Sequence, residues 1–101
     1  MKTRFVPFAE LIRTLWALHN TGLTGIIYIT TDDDRSAQIN FLNGEIVSLF
    51  LRNRQDEDAI PLLAELGWCR FRVAKMPVRP GNSVLPPTHQ ILTDLSAESA
   101  D

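Results

Sequence analysis

The sequence has little that would support covalent or metal chemistry. It contains one cysteine, Cys69, and two histidines, His19 and His89, among 101 residues. A lone cysteine excludes an internal disulfide and a Cys-x-x-Cys motif for zinc or thiol-redox work. Three scattered donors also lack the regular spacing of metal ligands. We therefore expect no cofactor, no metal and no catalytic centre, and a reducing cytoplasm as the compartment.

Long apolar runs and a large excess of one charge are also missing. The longest nearly uncharged stretch, residues 14–31, is interrupted by His19, Asn20 and two glycines, which predicts no membrane-spanning helix. Residues 1–8 lack the apolar core of a signal peptide. The formal net charge is -2, so the chain lacks the overall positive field that attracts nucleic acid or anionic lipid.

The composition that is present is that of a folded globular domain. Hydrophobic residues make up 45% and charged residues 22% of the chain, far from the profile of a disordered protein. The length suits one hydrophobic core. We expect a single domain over residues 1–95 and a frayed tail over residues 96–101, which are small, polar and acidic.

Periodicity predicts three helices. Apolar residues at intervals of three and four over residues 7–19 indicate an amphipathic helix, and Gly22 is suited to end it. Acidic residues and an apolar stripe predict a middle helix over residues 58–66, capped by Gly67. A third, short helix is predicted over residues 88–95, with a threonine as its N-cap.

Clusters of β-branched and aromatic residues predict about four strands. Asn43-Gly44 is typical of a type I′ hairpin turn, which requires positive φ at both central residues. The fold class is therefore α+β, with an antiparallel sheet of two consecutive hairpins and a later strand, packed with the three helices. The predicted strands span residues 25–31, 37–42, 45–52 and 68–75.

Five turn residues are interpreted as structural. Gly22 and Gly25 could suggest a phosphate-binding loop, but they lie between a helix and a strand, whereas such loops follow a strand and precede a helix. Positive φ explains both glycines without a ligand. The predicted structural turn residues are Gly22, Gly25, Asn43, Gly44 and Gly67.

The predicted hairpin suggests a surface that needs a cover. Counting outward from the Asn43-Gly44 turn places Ile39 opposite Ser48 and leaves a second row of three aliphatic side chains on the other face. Either a helix of the same chain or a binding partner must cover that row. Trp16 and Leu23 are further candidate anchors. The predicted partner-binding residues are Val47, Leu49, Leu51, Trp16 and Leu23.

A second candidate surface is basic. Arg70 and Arg72 share one side of the last predicted strand with Trp68, and Arg52 and Arg54 end another strand. If those strands are neighbours, the arginines form a patch that could bind an anion or single-stranded nucleic acid. The alternative is a solvated face on which the arginines pair with acids, and the net acidity of the chain favours that alternative.

Three stretches follow one another along the chain: the first helix with the Gly-Leu-Thr-Gly-Ile turn of residues 22–26, the hairpin Ile-Asn-Phe-Leu-Asn-Gly-Glu-Ile-Val of residues 39–47, and Asp-Ala-Ile-Pro-Leu-Leu of residues 58–63. In this order they resemble the PATAN-like domain family of bacterial signalling proteins. The resemblance implies a partner-binding or regulatory domain in chemotaxis-like, motility or developmental signalling. It implies no agreed catalytic residues, so no active site is carried over.

The sequence observations predict a non-enzymatic protein-interaction or scaffold module, and the resemblance implies that it acts in bacterial signal transduction. The expected partner is a response regulator, another signalling protein or a second copy of the chain. The alternative is a small domain that binds nucleic acid or an anionic ligand through the arginine patch, although the net charge of -2 disfavours nucleic acid.

Overall fold

The structure is a computed structural model that describes residues 5–32, 34–51, 54–65, 67–79 and 85–99. Within these residues the strands are β1 Val6–Pro7, β2 Gly25–Thr31, β3 Ser36–Leu42, β4 Glu45–Leu51, β5 Arg54–Gln55 and β6 Trp68–Lys75. The helices are α1 Phe8–Thr21, α2 Ile60–Ala64 and α3 Thr88–Ser99, and a 3₁₀ helix, Asp56–Ala59, precedes α2. The α+β class is confirmed.

The strands form one antiparallel sheet in the order β1-β6-β2-β3-β4-β5. The last long strand, β6, returns beside β2 and pairs with it from Gly25↔Lys75 to Thr31↔Cys69. The four long strands are those that the sequence predicts. The edge strands β1 and β5 are two residues long, too short for an alternating pattern to reveal them.

The helices cover one face of the sheet. Every second residue of β2 is buried, because that face packs against the apolar stripes of α1 and α3. None of the described helices is long and apolar enough to cross a membrane. The helical side chains that complete the core are Phe8, Leu11, Ile12, Leu15, Leu63, Ile91, Leu92 and Leu95.

Two predicted helix boundaries are wrong. The middle helix is not one α-helix over residues 58–66, because its first part is the 3₁₀ helix and α2 ends at Ala64. The third helix also extends beyond its predicted end at residue 95. Helix α3 continues to Ser99, and the Ser96 hydroxyl accepts a 2.9 Å hydrogen bond from the indole N–H of Trp16. That bond ties the last turns of α3 to α1.

A bulge in β4 reverses the predicted orientation of its second half. Phe41 pairs with Ile46 as the turn predicts, but Asn40 then pairs with Ser48, so Val47 is an extra residue without a register partner. Beyond it Leu49 and Leu51 face the core, with 0% and 3% of their surface exposed. Of the two predicted alternatives, the cover of these two leucines comes from the same chain, so Leu49 and Leu51 are not partner-binding residues.

Side chains from two later elements support the bulge. The amide of Ile46 donates a 2.8 Å hydrogen bond to the hydroxyl of Thr88, at the start of α3. The amide of Leu49 donates a 3.1 Å hydrogen bond to a carboxylate oxygen of Asp56. Both amides are buried, and unpaired buried amides are costly, so these acceptors stabilise the irregular register.

The β3–β4 hairpin turn packs against the end of α1. Asn43 and Gly44 both have positive φ, which confirms the predicted hairpin. The Gly44 amide donates to the Leu23 carbonyl at 2.8 Å, and the Asn43 amide donates to the Thr24 hydroxyl at 2.9 Å. On the other side, the His19 imidazole Nδ1 lies 2.8 Å from the Gly44 carbonyl oxygen. These hydrogen bonds therefore hold the β3–β4 turn against the turn between α1 and β2.

The other predicted turn glycines have different roles. Gly22 ends α1 in the left-handed conformation, as predicted, with φ of 73°. Gly25 instead begins β2 without positive φ, and a side chain there would collide with the carbonyl oxygen of Ala74. Gly67 is not the C-cap of α2, because Glu65 occupies that position. The Gly67 carbonyl instead accepts a 2.8 Å hydrogen bond from the amide of Phe8.

Candidate functional site

The sheet face opposite the helices carries the surface that we call the open face. Its residues alternate with the buried ones along each strand and are half-buried or exposed, because none of the described helices packs on this side. The open face is the part of this side that lines the two depressions described below, and it comprises Tyr28, Thr30, Ser36, Gln38, Phe50, Arg70 and Arg72.

Strand register places four of these side chains in one lateral row. Phe50 pairs with Gln38, Gln38 with Tyr28, and Tyr28 with Arg72, so the row crosses β4, β3, β2 and β6. Neighbouring strands are about 4.8 Å apart, which separates the ends of the row by about 14 Å. The bulge positions Phe50 in this row, because the same register shift that buries Leu49 turns Phe50 outward, where 37% of its surface is exposed.

Aromatic rings position both arginines of the open face. The Arg72 guanidinium carbon lies 4.7 Å from the ring centroid of Tyr28, and that of Arg70 lies 5.3 Å from the ring centroid of Phe5. Stacking of this kind is attractive and leaves the N–H groups at the edge of the guanidinium accessible. Neither guanidinium forms an ion pair or a side-chain hydrogen bond with any residue that the structure describes.

A depression follows the row across the sheet. It has a volume of about 470 Å³ and lies between Tyr28, Gln38, Phe50 and Arg72. A smaller depression of about 180 Å³ adjoins it beside Arg70. The combined surface is shallow and amphipathic, with two aromatic residues and two arginines in its lining, which suits binding more than enclosed chemistry.

Only part of the predicted arginine patch forms. Arg70 and Arg72 lie on the same side of β6 as Trp68, which is 53% exposed. Arg54 lies on β5, and three strands separate β5 from β6 in the sheet. Arg52 lies outside the described residues. Among the described residues, the basic character of the open face therefore comes from two arginines, Arg70 and Arg72.

Two of the remaining predicted anchors, Trp16 and Leu23, take part in contacts within the chain. Trp16 is half-buried, and its ring makes edge-on contacts with His19 and His89 at centroid distances of 6.1 and 5.5 Å. Leu23 is half-buried in the turn that receives the β3–β4 hairpin, and Val47 is half-buried at the bulge. Trp16 and Leu23 therefore connect elements of the chain, and neither lines the open face.

The nucleophilic and metal-ligating residues are poorly placed for chemistry. Cys69 is buried, and burial raises the pKa of its thiol from 9.0 to about 11, an increase to which the negative charge of Asp32 adds. A thiol of this kind is a weak nucleophile at neutral pH. His19 already contacts the Gly44 carbonyl. Across the described part of the chain, no group of three His, Cys, Asp or Glu side chains could hold a metal ion.

Comparison with known proteins adds no relative. No family model matches the chain, no curated protein matches its sequence, and no solved structure matches its fold.

Sequence reasoning missed the central residues of the open face. Alternation along one strand indicates that Arg70 and Arg72 share a side, but it does not indicate which strand lies next to them. Tyr28 and Phe5 approach the arginines because β2 and the segment before β1 flank β6. The signal that could have found Tyr28 is its place between Ile27 and Ile29, because alternation along a strand directs Tyr28 to the side opposite those two isoleucines.

Proposed function

We propose that this chain is a non-enzymatic protein-interaction module of bacterial signal transduction, acting in the cytoplasm, and that the open face is its binding surface. The observation that carries the proposal is the uncovered row from Phe50 to Arg72, in which a guanidinium stacks on the Tyr28 ring. Tyrosine, tryptophan and arginine are the residue types that dominate binding energy at protein interfaces.

The resemblance to PATAN-like domains supports the signalling role, and a response regulator or another signalling protein is the proposed class of partner. A non-catalytic role is supported by the buried thiol of Cys69, whose raised pKa of about 11 opposes nucleophilic chemistry. It is also supported by the shallow form of the open face, which does not enclose a substrate or exclude water.

A second candidate function is binding of single-stranded nucleic acid. The stack of Arg72 on Tyr28 favours it, because aromatic rings on an open sheet can stack bases while arginine contacts phosphate. The net charge of -2 argues against it. A nucleic-acid complex would weaken steeply as salt is raised, in proportion to the number of phosphates contacted.

The proposed function is tested by affinity capture from an extract of the native cells. The wild-type chain is compared with a Tyr28→Ser, Phe50→Ser double variant, which removes two rings of the open face, and with an Arg13→Ser, Gln90→Ser double variant. Arg13 and Gln90 are exposed residues of α1 and α3, on the helical side.

We expect the wild-type chain and the helical-side variant to capture the same protein and the open-face variant to lose it. Thermal unfolding of all three chains verifies that each is folded. Capture of the same protein by all three would show that binding does not use the open face.

A further inference from the structure

We propose that the open face binds an extended acidic segment of a protein partner. Two carboxylates at alternate positions of that segment contact Arg70 and Arg72, and an adjacent apolar side chain enters the depression between Tyr28 and Phe50. This inference rests on the proposed function, because it names the chemistry of the partner that the same surface takes.

The charge of the open face identifies the partner as acidic. Its seven residues include two arginines and no acid, and neither guanidinium has a counter-charge among the residues described. Stacking on Tyr28 and Phe5 restricts each guanidinium before binding, so less side-chain entropy is lost on forming a complex. Carboxylates match the fork of N–H donors on arginine and can bind it through two hydrogen bonds.

The spacing of the arginines identifies the segment as extended. Arg70 and Arg72 are two residues apart on one strand, so their Cα atoms are about 6.7 Å apart and their side chains leave the sheet on the same side. An extended peptide places alternate side chains on one side at the same spacing. Two acids separated by one residue therefore match both guanidinium groups, whereas two consecutive acids point in opposite directions.

The depression beside the arginines identifies the third contact. Its volume of about 470 Å³ exceeds what one aliphatic or aromatic side chain needs, and its lining includes Tyr28 and Phe50. Transfer of an apolar side chain onto this floor removes apolar surface of both partners from water. Gln38 lies between Tyr28 and Phe50 in the row; its Nε2 donates a 3.0 Å hydrogen bond to Asn40 Oδ1, and its carbonyl oxygen and second N–H remain for the backbone of the bound segment.

The same charges disfavour the two other occupants. Packing the open faces of two copies together would bring four guanidinium groups into one interface without an acid on either face, and like charges in an interface are strongly repulsive. Single-stranded nucleic acid would find two arginines on this face of a chain whose net charge is -2, whereas such binders track several phosphates with a positive groove.

The test is a fluorescence-anisotropy titration with labelled synthetic peptides. The probe carries Asp-x-Asp followed by a leucine. One matched peptide has the same composition with the two aspartates adjacent, and another has asparagine in place of both aspartates. The proteins are the wild-type chain, Arg70→Gln, Arg72→Gln, Phe50→Ser and, as control, Arg13→Gln, whose guanidinium is on α1 and pairs with Glu10 at 3.2 Å.

We expect the wild-type chain and Arg13→Gln to bind the Asp-x-Asp probe equally and both matched peptides more weakly. Each open-face arginine variant loses affinity by roughly tenfold or more, as expected for a hydrogen-bonded charge pair. Phe50→Ser loses affinity for the leucine-containing probe but keeps its preference for alternate over adjacent aspartates.

Three results would overturn the inference. They are equal binding of the asparagine peptide, tighter binding of an oligothymidine than of the acidic probe, and self-association in sedimentation that Arg72→Gln abolishes. Absence of probe binding, with capture of the native partner still lost in the Tyr28→Ser, Phe50→Ser chain, would refute the acidic segment and leave the proposed function standing. If capture is also unchanged, both proposals fail.

Discussion

At the scale of the residue, Gly44 occupies a position where a side chain does not fit. The backbone there has φ of +84°, and a Cβ would lie 2.6 Å from the carbonyl oxygen of His19 and 2.9 Å from the Cα of Gly22. Both contacts are with backbone, which cannot rotate away as a side chain could. The residue is therefore fixed by steric exclusion as well as by turn conformation.

We predict that Gly44→Ala lowers the free energy of unfolding by about 2 kcal/mol or more, since backbone strain alone costs about 1–3 kcal/mol. Urea unfolding followed by circular dichroism measures the change. Gly67→Ala is the control, because a Cβ at Gly67 meets nothing within 4 Å. Equal stability of the two variants would mean that the hairpin turn does not approach the end of α1.

The raised pKa of Cys69 predicts that the folded chain loses stability at alkaline pH. Its pKa in the folded chain is about 11, above the ordinary value of 9.0, because burial disfavours the thiolate and Asp32 adds to the effect. Below pH 9 both states keep the proton and stability is unaffected by this group. Between pH 9 and pH 11 the unfolded state loses its proton first, so stability falls as pH rises.

The expected loss is roughly 1–3 kcal/mol across that interval. Unfolding free energies of the wild-type chain and of Cys69→Ala, measured at several pH values, isolate it, because the other titrating groups are common to both chains. A stability difference between the two chains that stays constant across the interval would contradict the placement of the thiol in the core.

At the scale of the element, the bulge in β4 determines which side chains are inside. Leu49 is fully buried and Phe50 is 37% exposed, the reverse of the orientation that an uninterrupted hairpin would give. We predict that Leu49→Ala lowers the free energy of unfolding by about 2–5 kcal/mol, because it leaves a cavity, and that Phe50→Ala lowers it by less than about 1 kcal/mol. Chemical denaturation of both variants measures the two losses. A larger loss of unfolding free energy for Phe50→Ala than for Leu49→Ala would mean that β3 and β4 pair without a bulge.

Locally encoded elements are the ones that the sequence predicts well. The predictions match the bounds of β2 and β6 and the end of α1 at Gly22. Each of these features depends on a few consecutive residues, which form either an alternating pattern or a left-handed helix cap. The bulge could not be predicted in the same way. Its support comes from Asp56 and Thr88, which lie in other elements, and the segment around Val47 contains no glycine or proline to mark it.

The same difference between local and distant determinants applies to the open face. The shared side of Arg70 and Arg72 is a property of one strand and was predictable. The Tyr28 ring under Arg72 and the lateral position of Phe50 depend on which strands are neighbours and on the register shift. Those depend on contacts between distant parts of the chain, which no local pattern contains.

At the scale of the whole molecule, α3 closes the core that the sheet and α1 leave incomplete. Ile91, Leu92 and Leu95 are each at most 2% exposed, and Thr88 accepts the buried amide of Ile46. Burial of the three aliphatic side chains contributes roughly 5–9 kcal/mol. That range is comparable to the whole stability of a small domain, about 5–15 kcal/mol.

We therefore predict that a chain ending at Pro87 does not unfold cooperatively. Near-ultraviolet circular dichroism and thermal scans measure the loss of fixed tertiary structure. A chain ending at Ser99, the last residue of α3, is the matched control and should melt like the full sequence. A cooperative transition in the shorter chain would show that α3 is an accessory and not part of the core.

The interlocked turns also constrain how such a chain can diverge. The Gly44 carbonyl contacts His19, the Gly44 amide contacts Leu23, and the Cα of Gly22 leaves no room for a larger neighbour. An insertion in either turn would separate these contacts unless the other turn changed in compensation. Descendants of a common ancestor with this architecture are thus expected to retain both turns or to replace both, so paired substitutions at these positions would reveal kinship that overall identity conceals.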